Sequence, residues 1–126
     1  MAAPFIEQLP EGFDTQLGKW FAGGRELSGG QWQKIALARA FMRQEADILV
    51  LDEPTEGIQP SIIKDIGRVV RMLAKERGMA VLLCEQYYDF AEELADAYVV
   101  MERGEVIAAG PGAEMQDKGI QKLVAI

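Results

Sequence analysis

Apolar positions recur along this chain with two periods, and each period predicts its own kind of element. Ile35, Ala38 and Met42 fall at helical spacing with Phe41 beside them, predicting a helix over about 29–44. Its start is sharp: Ser28 is a good N-cap, and Gln31, three residues on, completes a capping box. Ile48–Leu51 is a short, wholly apolar run bounded by charge and proline, the pattern of a strand covered on both faces. Ile62, Ile66, Val69 and Leu73 line one face of a helix over 60–77, with Lys64, Asp65, Arg68, Arg71 and Lys75 mostly on the other. Pro60 suits its first turn, and Lys75, Arg77 and Gly78 suit its end. Met79–Cys84 predicts a second buried strand, with Cys84 a small core residue. A short helix over 88–95 then buries Ala91, Leu94 and Ala95, with Tyr87-Tyr88 anchoring it. Tyr98–Met101 and Val106–Ala108 form a hairpin turning at Arg103-Gly104, and a last helix follows over 113–124.

Residues 1–26 hold Pro4, Pro10, Gly12, Gly18, Gly23 and Gly24, which predicts loop with at most a short helix around Phe5–Leu9. Strands alternating with helices imply an α/β fold with a largely parallel sheet. The 126 residues, 49% of them hydrophobic, are enough for one packed core.

Charge narrows the partners. Twenty acidic side chains against 13 basic ones leave a net charge of -7, which argues against nucleic acid and anionic membrane surfaces. A single cysteine, Cys84, permits no internal disulfide and fits a reducing compartment. Histidine is absent, and with it the commonest transition-metal ligand and proton shuttle. No apolar run approaches the roughly 20 residues of a spanning helix, and no signal peptide is visible. Direct membrane insertion is therefore not expected.

Two segments carry chemistry. At Leu27-Ser28-Gly29-Gly30-Gln31 a capped helix follows glycines, so first-turn N–H groups with the positive end of the helix dipole behind them can face an anion. Taken alone, this is more simply a plain capped helix after a glycine turn. Asp52 and Glu53 end an apolar strand, where open α/β sheets place their ligands. Asp52 suits Mg²⁺, and Glu53 suits a water attacking a terminal phosphate. Alone, the pair is equally an ordinary strand end before a proline turn. Trp20 and Trp32 fit packing or a subunit contact better than stacking on a base.

Together the segments say more. Glu26–Ala40 resembles the signature helix of ATP-binding cassette (ABC) ATPases, and Ile48–Thr55 resembles their Walker B segment. The resemblance runs on to Ile126. It implies a partial P-loop NTPase core: a mostly parallel sheet, the signature helix, and a C-terminal β-hairpin plus helix. The chain would be one partial domain, with signature helix and Walker B in 1–55 and D-loop, switch region and C-terminal part in 56–126. No Gly-x-x-x-x-Gly-Lys-[Ser/Thr] loop occurs in these 126 residues, so the Walker A strand and loop are expected to be missing. That strand would lie between Met79–Cys84 and Tyr98–Met101, and its loss leaves two strand edges unpaired unless the sheet closes up.

The resemblance further implies ATP and Mg²⁺ as cofactors and a second ABC ATPase domain, head to tail, as partner. A transmembrane permease subunit would hold the pair on the cytoplasmic face of the membrane. Ser28, Gly29, Gly30 and Gln31 would touch nucleotide across the dimer, Asp52 would serve Mg²⁺, and Glu53 would be the general base. Gln86 aligns with the switch histidine, and Glu56-Gly57-Ile58-Gln59 with the D-loop; both depart from the common pattern. Glutamine donates and accepts hydrogen bonds but cannot become a cation near neutral pH. The half from Glu56 onward resembles urea and branched-chain amino acid importer subunits, whereas the first half resembles exporter-type domains. The apparent join within Leu51–Thr55 predicts a recombinant or chimeric reading frame, with one divergent lineage as the alternative. Two rival readings remain: a non-catalytic lobe that regulates a Walker A-bearing partner, and a split head of a chromosome-maintenance or repair ATPase. The second expects a heptad-repeat arm and a basic groove, and neither is visible.

Overall fold

The computed structural model describes residues 2–43 and 45–124. Helix α1 spans Ala3–Ile6, and a single 3-10 turn follows at Gly12–Asp14. The first helix thus starts and ends earlier than its apolar residues predict, with Pro4 in its opening turn. Then come α2 (Gly29–Met42), β1 (Ile48–Asp52), α3 (Pro60–Arg77), β2 (Ala80–Cys84), α4 (Tyr88–Leu94), β3 (Ala97–Glu102), β4 (Glu105–Pro111) and α5 (Gln121–Val124).

Local chemistry explains the boundaries that match. The capping box of α2 is present in both directions: the Gln31 N–H donates to Ser28 Oγ (3.2 Å), and the Ser28 N–H donates to Gln31 Oε1 (2.9 Å). Helix α3 opens on Pro60 and stops at Gly78. The C-terminal helix is shorter than expected. Gly112–Glu114 is a 3-10 turn, and Gly119 turns the chain at φ 62 before α5 begins. That left-handed conformation is one glycine adopts readily, and it interrupts the single helix expected over 113–124.

The strands make two separate two-stranded sheets. β1 and β2 pair in parallel from Ile48↔Ala80 to Asp52↔Cys84, with α3 as the crossover. β3 and β4 pair antiparallel around Arg103-Gly104, both at positive φ. The sheet has not closed up: β2 and β3 do not pair.

Helices α2, α3 and α4 cover one face of the parallel pair. Leu37, Ile66, Val70 and Phe90 form the buried centre, with Leu51, Val81 and Leu83 packed against it. A second cluster of Tyr98, Val100, Met115 and Ile120 packs the hairpin on the C-terminal turns. The expectation that both faces of β1 are covered is corrected. Ile48, Val50 and Leu82 are 65%, 59% and 57% exposed, and Cys84 is exposed rather than a core residue. Alternate residues of a strand face opposite ways, and only one of those faces is roofed by helices. On α2 the inward residue is Leu37, 2% exposed, while Met42 is 79% exposed and Phe41 lies at the surface with the Arg77 guanidinium 4.3 Å from its ring centre. Trp20 and Trp32 are exposed too, the Trp32 indole N–H reaching Glu26 Oε1 at 3.4 Å. Among the described residues no helix is long and apolar enough to cross a membrane.

Candidate functional site

The site grows from the point where α2 lies beside the turn after β1. Ser28 and Gly29 are exposed at the start of α2, while Gly30 is buried. A Cβ on Gly30 would overlap Ile62 Cδ1, so a side chain here would make the tip of Ile62 on α3 swing aside. A Cβ on Gly29 would meet only Ile58 Cδ1, at an ordinary 3.6 Å. The two glycines therefore differ: Gly30 is buried and packed against Ile62, whereas Gly29 is exposed with room for a side chain. As the first two residues of the helix, both keep N–H groups with no intrahelical acceptor. Ser28 and Gln31 spend their side-chain oxygens on each other's N–H groups. What the helix start offers an anion is thus mainly backbone and dipole.

β1 delivers the acids. Asp52 is its last residue and is exposed, and among the described residues its carboxylate takes part in no hydrogen bond or ion pair. Glu53 leaves the strand at φ 42, an uncommon conformation for a residue with a side chain. Its N–H is held by the Cys84 carbonyl at 2.8 Å, and its own carbonyl accepts from the Glu56 N–H at 3.1 Å. The Gln86 side-chain amide, just beyond β2, donates to Glu53 Oε1 at 2.7 Å. Two predicted residues 33 positions apart are thus in direct contact.

Three further residues hold this arrangement and were not anticipated. The Gln33 amide donates to the Pro54 carbonyl at 3.1 Å, tying α2 to the turn after β1. Thr55, 8% exposed, donates its hydroxyl to Glu85 Oε2 at 2.8 Å. Glu85 Oε1 accepts from the N–H groups of Gln86 (2.9 Å) and Tyr87 (3.0 Å). The signal in the sequence is a glutamate at a strand end beside Gln86. Among the described residues no hydrogen bond joins the Ser28–Gln31 group to Asp52, Glu53 or Gln86. The groove of about 650 Å³ between α3 and α4, lined by Ile63, Gly67, Arg71 and Phe90, holds none of the predicted residues.

The donor set bears on Mg²⁺. Among the described residues no three acidic or cysteine side chains gather as a metal site. Mg²⁺ commonly takes one or two carboxylates, with waters and substrate phosphates completing its octahedron. A lone, unpartnered Asp52 fits that mode, and the unengaged first-turn amides of α2 fit a phosphate.

Comparison with known proteins agrees with these segments. Residues 5–56 match the family model described as ABC transporter. The subtilin transport ATP-binding protein of Bacillus subtilis is 44% identical over 103 residues, 82% of this chain and 16% of that protein. An ATP-dependent lipid A-core flippase of Alkalilimnicola ehrlichii is 40% identical over 116 residues, 92% of this chain and 18% of its own length. The arginine transport ATP-binding protein of Corynebacterium glutamicum is 38% identical over 92 residues, 73% of this chain and 35% of that protein. The chain thus spans less than a fifth of the first two relatives and about a third of the last. With the motif order and the partial α/β core already described, these matches place the chain in the ABC transporter ATPase family, as a portion of the ATPase domain.

Proposed function

We propose that this chain supplies the signature and Walker B sides of ATP sites formed between two ABC ATPase domains arranged head to tail. In this reading Ser28, Gly29, Gly30 and Gln31 present the N-terminus of α2 to the phosphates of an ATP held by the facing domain. Asp52 holds Mg²⁺. Bound Mg²⁺·ATP supplies a terminal phosphate whose charge the metal offsets. Glu53 orients the attacking water and takes its proton, and Gln86 hydrogen-bonds to that phosphate. Hydrolysis would drive transport through a permease at the cytoplasmic face of the membrane.

The observation that carries this reading is the 2.7 Å bond from Gln86 to Glu53. It leaves Glu53 Oε2 without a partner among the described residues, as a base requires. Gln86 stays neutral, so it acts on phosphate by hydrogen bonding alone.

The test pairs the chain with a Walker A-bearing ABC ATPase domain whose own signature serine has been replaced. Adding this chain with Mg²⁺·ATP is expected to give a nucleotide-dependent heterodimer in sedimentation, while the chain alone binds ATP weakly and turns over negligibly. Submicromolar ATP binding by the pure monomer, or no pairing with nucleotide present, would refute the proposal.

A further inference from the structure

We infer that Glu85 is a positioning residue that aims Gln86 at Glu53 and locks the turn after β1 to the loop after β2. The inference rests on the reading of Glu53 and Gln86 as the reacting side of an ATP site. One carboxylate accepts three donors from two loops: the Thr55 hydroxyl on Oε2, and the Gln86 and Tyr87 N–H groups on Oε1. Hydrogen bonds to a carboxylate are stronger than those between neutral groups. Thr55 is buried, so its hydroxyl has no ready substitute in water.

The geometry makes this more than a loop staple. Gln86 is exposed, and an exposed glutamine side chain ordinarily samples many rotamers. Fixing the 85–87 backbone from below restricts where that side chain can start, and the Glu53 carboxylate lies within its reach. The other end is fixed by the same group, since Thr55 sits two residues past Glu53 in the turn closed by the Glu53–Glu56 bond. Helix α4 has no side-chain N-cap at Tyr87, so the Glu85 carboxylate also serves the orphan N–H groups just ahead of it. Among the described residues no lysine or arginine forms an ion pair with Glu85, leaving these donors to balance its charge.

The test reads the Gln86 side-chain amide protons by NMR in the isotope-labelled 126-residue chain without nucleotide. The methyl signals of Ile66, Val70 and Leu73 report whether the core is intact. Glu85→Ala is expected to move the Gln86 side-chain signals to the positions seen in Glu53→Ala. It should also speed exchange of the Gln86 and Tyr87 backbone amides by roughly tenfold or more. Core methyls should stay in place. Thr55→Val, which removes one donor of three, should move the signals less. Glu85→Gln should restore them, because its carbonyl accepts both N–H groups while its NH₂ donates to the Thr55 oxygen. Unmoved Gln86 signals in Glu85→Ala, or core methyls shifting along with them, overturn the inference. A negative result here leaves the ATP reading intact, and failed nucleotide-dependent pairing leaves the NMR result intact.

Discussion

Gly29→Asp separates a binding role of the α2 N-terminus from a structural one, because the two predict opposite signs. The structure gives the new side chain room, since its Cβ would make only an ordinary 3.6 Å contact with Ile58 Cδ1. Helix α2 carries no acid in its first turn, so a carboxylate there gains about 0.3–1 kcal/mol from the dipole. Replacing glycine at a helical position adds a few tenths of a kcal/mol. Folding is therefore expected to become more stable by about 0.5–1 kcal/mol. At a phosphate site the same charge repels. One unit pair about 4 Å apart contributes about 1 kcal/mol in bulk water and about 4 near a protein surface. A middle figure of about 2 kcal/mol weakens nucleotide-dependent pairing roughly 30-fold. Urea unfolding followed by circular dichroism reads the first quantity, and sedimentation with the Walker A-bearing domain reads the second. A destabilised variant would refute the packing argument. One that pairs as tightly as the parent would refute the phosphate assignment. Gly30→Asp cannot serve here, because Gly30 is buried and a carboxylate there would be taken from water, so folding suffers first.

Two further predictions concern the rest of the molecule. Val50 and Leu82 are register partners on the open face of the parallel pair, so the chain is expected to self-associate at high concentration. The double variant Val50→Lys/Leu82→Glu should shift sedimentation toward monomer, and an unchanged profile would exclude this face. The pKa of Tyr88 is raised above 10.0, first by burial and then by Glu92 and Asp89, while that of Lys118 is raised above 10.5, first by its hydrogen bond to Glu114. Both groups hold their protons longer folded than unfolded, so their contributions are full below pH 10 and fade as pH climbs through the folded values. Stability measured by urea midpoint should thus fall above pH 10, less steeply in Tyr88→Phe.

Determined by the sequence alone were the features that depend on neighbours three or four residues away. The Ser28–Gln31 box, the limits of α3 at Pro60 and Gly78, and the turn at Arg103-Gly104 are such cases. The motif pair and its family were legible for the same reason, being short contiguous strings. The tertiary structure decided whatever depends on what lies opposite. An all-apolar run such as Ile48–Leu51 has no polar face to mark, so only packing shows that Leu51 is covered while Val50 is open. Helix α2 has apolar residues on several sides, and the position of α3 chose Leu37 over Met42. Gly30 is buried against Ile62, a residue 32 positions on that no local pattern connects to it. Thr55, Glu85 and Gln86 came together for the same physical reason: parallel pairing of β1 with β2 sets two loops side by side, and a carboxylate with three donors closes the gap.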